Sequence, residues 1–572
     1  MRVRSLLWLS VCLPIYAACA NGSPVEEEEE DGGTVVRTDA GPQNQNCEAN
    51  KCPNGYYDLD KKPVGPNCGC EYACTRQGDD DPLDPDFVDA NCDGIDGVQG
   101  QCIFVSTSLG NDGAADGTAA KPFKTIQRAI QFSFEESKRR PVCVSTETYA
   151  ENLELKDGVG VYGGFDQANP DAPFRRAKKR GAVDLATVLN AAAVSGPLAG
   201  TGAFAADIKQ ETHFESFTVN VSLPDAPDGA SLYGVRMVGS AGPLVIRGNL
   251  FNIGPGHAGP IGSAGTQFSS AAGNGGNGAV GCNDCSGFGA GAPAPACINP
   301  GGNGGNGTNG NNDGAGGGTG GGLSGGPGGG GGSGKSCISP GSGGTGGMGN
   351  PGGPGANGVG GGAGGADLGL VSATALYVPT RGANGVDGLR GSGGGGGGGG
   401  GSSSHTFPIC YDDGSGGGGA GGCGGDAGRG GGGGGGGGGG FGVLVLAGKA
   451  TVTGNRFMLG AGGSGGAGGA GSAGQLGGTG GNGAGGGGSG GTGGKGGNGG
   501  QGGGGTGGGG GGGGPSTRVA KGSAAVVTEG NNTGTNGAAG AAGPAGAGGG
   551  TAGAGRPGSV GRAEDSLSLT PQ

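Results

Sequence analysis

Tryptophan is almost missing from this chain: the only one, Trp8, lies in the N-terminal segment. Histidine is nearly missing too. His213, His257 and His405 are scattered without metal spacing, so no zinc site or histidine-based catalytic arrangement is signalled. Aromatic residues make up 5% of 572 residues, too few for one compact core of that length. Basic residues are outnumbered, 33 against 45 acidic, and the net charge of -12 argues against a nucleic-acid partner. After the N-terminus no apolar run is long enough to span a membrane. Without tryptophan the usual sugar-stacking surface is gone, leaving Tyr149, Tyr162 and Tyr233 as partial substitutes.

What is present in excess is glycine, 166 residues, mostly between 255 and 560. The composition is not that of an average globular protein. Six segments follow. Residues 1–18 carry two arginines, an apolar stretch and small residues, the pattern of an export signal. The ending Y-A-A-C resembles a bacterial lipoprotein cleavage box with Cys19 lipidated, which would give a membrane partner through a lipid anchor. Tyr16 departs from that pattern, and ordinary cleavage around Ala18-Cys19-Ala20 is the alternative. Residues 19–46, with the acidic run 26–31, read as a disordered spacer. Residues 47–100 are rich in Cys and Asp, 101–254 in short alternating runs, 255–560 in glycine with apolar islands, and 561–572 form a tail.

Cys12 and Cys19 aside, the 16 cysteines leave an even fourteen: Cys47, Cys52, Cys68, Cys70, Cys74, Cys92, Cys102, Cys143, Cys282, Cys285, Cys297, Cys337, Cys410 and Cys423. In an exported chain they read as disulfides, with the pairing left open.

In 101–254, QCIFVSTSLG reads as a strand and PFKTIQRAIQFSFEES as an amphipathic helix with Ile126, Ala129, Ile130 and Phe134 on one face. Val142–Val144, Leu153–Leu155 and Val159–Tyr162 read as short strands. Three apolar islands interrupt the glycine: 368–378, 441–460 and 516–532. The run from Tyr233 and the run from Phe441 both begin aromatic-Gly-Val and both close on Gly-Asn-x-Phe, so Asn249 and Asn455 hold one place. The islands are therefore expected to be rungs of one solenoid.

VSTSLGNDGAADGTAAKPFKTIQRAI resembles the opening motif of a bacterial family of unknown function related to the pectin-lyase-like right-handed β-helix, through Gly110, Asp112, Gly117, Thr118, Pro122, Phe123, Thr125 and Ile126. The resemblance implies an all-β fold, a right-handed parallel β-helix closed by an N-terminal cap helix, with Asn249 and Asn455 in a corner ladder. The Cys-rich segment resembles a module that precedes such domains in exported proteins of myxobacteria and their relatives.

DANCDGIDG begins like a calcium loop, with Asp89, Asn91 and Asp93 alternating before Gly94 and Asp96, and with Asp84 and Asp86 nearby. Alternate oxygens can converge on a hard cation, so structural calcium is expected; an acidic, disulfide-tied linker is the plain alternative. Position twelve is Gly100, so the loop is not an EF-hand. GGGGSGKS at 329–336 matches a phosphate-binding loop, but no strand precedes it and no helix follows, so no nucleotide is expected. Lys156, Arg236 and Arg247 are the basic residues a polysaccharide-cleaving β-helix would use; each also fits an outward charge on a rung.

After Gly460 the side chains keep a period of three: Ala461, Ser464, Ala467, Ala470, Ala473, Leu476, Thr479 and Asn482, then Ser489, Thr492, Lys495, Asn498 and Gln501. That is the period of a polyproline-II-type helix. With two bare positions in three, such helices can bundle as in polyglycine II. The pattern resembles glycine-rich repeats of mycobacterial surface proteins and of a springtail antifreeze protein. The uninterrupted runs, as within 430–440, instead favour a flexible tether locally.

These features are read as an exported envelope protein, at the outer membrane or cell surface, structural or adhesive rather than catalytic. Its partners would be extracellular polysaccharide or surface proteins. The alternatives are a polysaccharide-binding protein or lyase, and an ice- or mineral-binding surface.

Overall fold

A computed structural model describes residues 51–59, 61, 69–98, 100–136, 139–169, 173–180, 182–193, 195–239, 241–339, 341–405 and 411–572. The leader, Cys19, the acidic spacer, Cys47, Cys68 and Cys410 lie outside them.

Short runs of β-branched and aromatic residues give three stacks of parallel strands. The first holds Thr148–Tyr149, Thr187–Ala191, Phe217–Val221, Leu250–Ile253, Arg456–Leu459 and Thr533–Thr535. The second runs from Ile103–Val105 through Val142–Ser145, Val161–Asp166, Thr212–Glu215 and Pro243–Arg247. The third contains Leu153–Leu155, Thr201–Ala206, Leu232–Val238 and Ala563–Pro571. The long strands Gly440–Thr453 and Ser516–Gly530 belong to both, so hydrogen bonding joins the second and third stacks in one 14-stranded sheet.

From Thr148 onward the chain visits first, third and second stack in that order, turn after turn. Ala563–Pro571 is the last strand of this series, not a tail. The island 368–378 differs from expectation. Leu370–Val371 and Tyr377–Val378 pair antiparallel and fold as a flap onto the end of Ala563–Pro571. Its two apolar pairs are too short to cross a whole turn.

Inward side chains fill the space between the stacks, and stacked rings recur from turn to turn: Phe251 on Phe457 at 5.2 Å and Tyr233 on Phe441 at 5.2 Å. Helix α1, Ile126–Glu135, covers the first turn with Ile126, Ala129 and Ile130 buried. The Glu151 carboxylate accepts from the Ile126 and Gln127 amides at 2.9 Å and so satisfies donors that a helix start leaves orphaned.

The glycine-rich segments 254–439, 460–515 and 536–562 all leave the stacks at one corner, between the first and the third. They are hydrogen-bonded to one another in a regular way. Gly462, Gly465, Gly468 and Gly471 donate to the carbonyls of Ala538, Ala541, Pro544 and Ala547, advancing three residues on each side. Gly463, Gly466 and Gly469 donate to Gly438, Gly435 and Gly432, three residues forward against three back. Every third residue therefore faces the same neighbour.

Glycine content follows the number of covered faces. In 256–265, glycine recurs once per three residues and most of the side chains between are exposed. In 492–501, two of three residues are glycine; Thr492, Lys495, Asn498 and Gln501 point to solvent. The uninterrupted stretch 393–401 is wholly buried. Residues 391–401 donate in rotation to 416–425, 315–321 and 344–353, and accept from 302–305, 326–332 and 491–500. Six neighbours leave no room for a side chain. The run 502–514 is enclosed in the same way. The local tether expected for pure glycine is thus reversed: these runs are the interior.

Close approach accounts for the composition. A Cβ built on Gly434 would overlap the carbonyl oxygen of Gly466, and one on Gly397 that of Gly494. The α-hydrogen in that place points at the carbonyl, a weak Cα–H···O contact added to the N–H···O bonds. Ordering a residue costs about 1–2 kcal/mol and a net hydrogen bond returns about 1 kcal/mol, so one such segment cannot stand alone. Closure on all sides and anchorage at the strands make the bundle possible.

Candidate functional site

The acidic loop is built by turns. Asp89 accepts from the Asp93 and Gly94 amides and from the Tyr72 hydroxyl, and Asn91 from the Asp93 amide. Asp81, nearly fully buried, accepts from the Ala90 and Gly97 amides; burial and then repulsion from Asp89 push its carboxyl up to about 6. Asp84 accepts from the Asp86 amide. Asp96 accepts from the Asp84 amide at 3.2 Å and pairs with Arg176 at 2.6 Å, with neither side chain of the pair exposed. Burial, opposed by Arg176, pushes the Asp96 carboxyl up to about 7. The expected ligands Asp84, Asp86, Asp89, Asn91, Asp93 and Asp96 are thus near one another in the chain. Among the described residues, however, no three His, Cys, Asp or Glu are grouped to hold a metal.

Arg176 joins this module to the stacks. It also donates to the Asp84 and Gly163 carbonyls and lies 4.2 Å over the Phe87 ring. Phe104, Phe165 and Phe174 pack beneath it. Sequence reading did not single out Arg176; an arginine in a basic stretch carries no signal of burial.

Among the described residues the disulfides are Cys52–Cys70, Cys74–Cys92, Cys102–Cys143, Cys282–Cys285 and Cys297–Cys423, and Cys337 is also bonded. So many disulfides are the chemistry of an exported or extracellular protein. Among the described residues no helix is long and apolar enough to cross a membrane.

The corner ladder has three members. Asn249 donates through its side chain to Asn455, and Asn455 to Asn532. Each lies after a left-handed residue, Gly248, Gly454 and Asn531. Asn532 was missed because asparagine, which tolerates that conformation, stands where the other two turns have glycine.

The basic residues expected of a lyase are engaged. Arg236 is buried, donates to Thr201 Oγ1, the Thr374 carbonyl and the Pro197 carbonyl, and is covered by the 368–378 flap. Burial holds its pKa below the usual arginine value. Lys156 pairs with Glu154 at 2.7 Å. Arg247 pairs with Glu215 at 2.9 Å. Beside it His213 stacks on Tyr162 and has Glu215 at Nδ1, 2.6 Å, and Glu211 at Nε2, 3.0 Å. Burial disfavours the imidazolium, but the bonds and charge of Glu215, then Glu211, prevail and raise its pKa.

A cavity of about 490 Å³ lies on the glycine bundle. It opens where the outer layer ends: 299–308 covers 415–424 and goes no further. There D-x-x-R occurs twice, at 387–390 and 426–429, on antiparallel segments. The pairs are reciprocal, Arg390 to Asp426 at 2.9 Å and Arg429 to Asp387 at 2.7 Å. The repeated D-x-x-R at a period-three spacing was the available signal.

No family model matches the chain, and no curated protein matches it. Among solved structures, the selenomethionine form of GH136 lacto-N-biosidase from Eubacterium ramulus aligns at 11% identity over 28% of this chain and 36% of that one, with a TM-score of 0.16. The native form aligns at 13% identity over 27% and 30%, with a TM-score of 0.10. The chain spans about a third of that enzyme, and a likeness this slight assigns neither fold nor activity.

Proposed function

We propose that this is a non-catalytic structural or adhesive protein of a bacterial cell surface. In this reading the parallel stacks are a right-handed β-helix capped by α1, and the glycine segments are a polyglycine II bundle carried on its flank. One observation supports it above the rest: the glycine runs are enclosed on all sides by backbone hydrogen bonds. Such a body is rigid, offers proteases no loose chain, and presents rows of small and polar side chains outward. Anchorage through a lipidated Cys19 belongs to the same proposal, and mass spectrometry of the mature N-terminus tests it.

Deletion in the producing cell is the test of function. Surface attachment or envelope resistance should fall, wild type should restore it, and Gly434→Ala should not. An unchanged deletion strain would sink the reading. Structural calcium at Asp84–Asp96 is a separate proposal, supported by the alternation of Asp89, Asn91 and Asp93 before Gly94. A melting temperature that ignores both calcium and chelator would remove it. The lyase alternative loses support because Arg236 is sealed in; the mixed rows Thr492, Lys495, Asn498 and Gln501 do little for an ice- or mineral-binding face.

A further inference from the structure

We infer that the cavity at the end of the outer glycine layer is a binding subsite for a neutral saccharide, one or two sugar rings in size. Its lining supplies the required chemistry. Asp387, Arg390, Asp426 and Arg429 present planar polar groups, Thr266 adds a hydroxyl, and Phe268 offers a partly exposed ring.

The ion pairs themselves do not explain why these residues are there. All four side chains are about half exposed, 46–60%. Pairs so exposed contribute about 0–1 kcal/mol to stability. Register in the bundle is already set by backbone bonds on both sides, such as Gly388 to Gly428 and Gly391 to Gly425. A clamp would also need neither a hollow nor an aromatic ring.

Recognition explains all of it. Each guanidinium is held flat by its carboxylate, and each has donors left over. Each carboxylate keeps acceptor capacity; Asp387 is held below the usual carboxylate range by the Gly430 amide, then Arg429, and so stays ionised. Vicinal hydroxyls of a sugar donate to a carboxylate and accept from a guanidinium at the same time. The C–H face of the ring packs on Phe268 and Leu389. Two arginines against two aspartates leave the site neutral, which disfavours an acidic or amino sugar. The volume lies within the range of small-ligand pockets, about 300–1,000 Å³. The scaffold is rigid backbone, so little ordering is needed on binding.

This goes beyond the structural reading and fails separately from it. The experiment is saturation-transfer NMR and calorimetry on the mature full-length protein with maltose, cellobiose, lactose and chitobiose, and with glucuronate and glucosamine as charged controls. At least one neutral disaccharide should bind. Phe268→Ala and Arg390→Gln should each weaken it at least tenfold, while hydrogen exchange across 416–438 stays slow. No transfer from any neutral sugar, equal binding by Phe268→Ala, or stronger binding of a charged control would overturn the proposal. Slow exchange in the same samples would leave the bundle, and the structural role, intact.

Discussion

The side-chain oxygen of Asn455 accepts from both the backbone amide and the side-chain amide of Asn249, at 3.0 and 3.1 Å, across 206 residues of sequence. The Asn455 side-chain amide in turn donates to the Ile246 carbonyl and to Asn532. One side chain thus joins three turns at a corner, where strands supply no ladder bonds of their own.

Asn455→Ala should therefore lower unfolding free energy by roughly 2–4 kcal/mol, because the Asn249 amide and the Ile246 carbonyl lose buried partners. Denaturant unfolding checks it. Asn532→Ala, at the less buried end, should have a smaller effect; equal effects would mean the corner is not the reason.

Bare α-carbons hold the bundle together. Gly434→Ala places a methyl against the Gly466 carbonyl and should destabilise by about 3 kcal/mol, at the upper end of overpacking. Lys495→Ala, at an exposed position of the neighbouring segment, should stay within about 0.5 kcal/mol. Paired thermal melts separate a packed bundle from a tether, in which neither change would register.

The strands and the cap helix were legible because their periods, 2 and 3.6, show in Val142–Val144, Leu153–Leu155 and Ile126–Ile130. The three-residue glycine period was legible too. What a single period cannot show is how many neighbours a helix has, so the pure run within 430–440 looked empty rather than enclosed. The flap 368–378 has the composition of a rung; its role depends on Tyr233 and Arg236, which its Tyr377 amide and Thr374 carbonyl reach. The cavity arises from where the outer layer stops, a matter of segment lengths rather than of any motif.

Arg176 is the bolt between the Cys-rich module and the stacks. Arg176→Ala leaves Asp96 buried without its partner and should cost about 3–5 kcal/mol. Limited proteolysis should then cut within 51–98 first. Replacing both, Arg176→Met with Asp96→Leu, should recover much of the loss; no recovery would place the defect in the bonds to Asp84 and Gly163 instead.

His213 makes stability depend on pH with a definite sign. Its folded pKa lies above the ordinary 6.5, so the imidazolium is favoured in the folded state. The contribution is complete below about 6.5 and fades as pH rises through the folded value. Thermal melts from pH 5.5 to 8.5 should show this loss, and His213→Gln should reduce it, leaving the part that the raised carboxyls of Asp81 and Asp96 carry in the same direction. A wild-type profile that the substitution leaves unchanged would assign the dependence to other groups.

Amide exchange read by mass spectrometry addresses the bundle most directly. In 502–514 nearly every backbone N–H has an acceptor in another segment and the run is buried. Release of one such amide requires two neighbouring segments to part, so exchange should be as slow there as in Gly440–Thr453. In the segment 256–265 only one residue in three donates its N–H outward, at Gly256, Gly259, Gly262 and Gly265, apart from His257. Protection in that segment should be sparse even though it belongs to the same bundle. A gradient from 256–265 through 492–501 to 502–514 would follow the number of covered faces. Uniform exchange within seconds across all three would mean that glycine here is tether, and the rigid-surface proposal would fall with it.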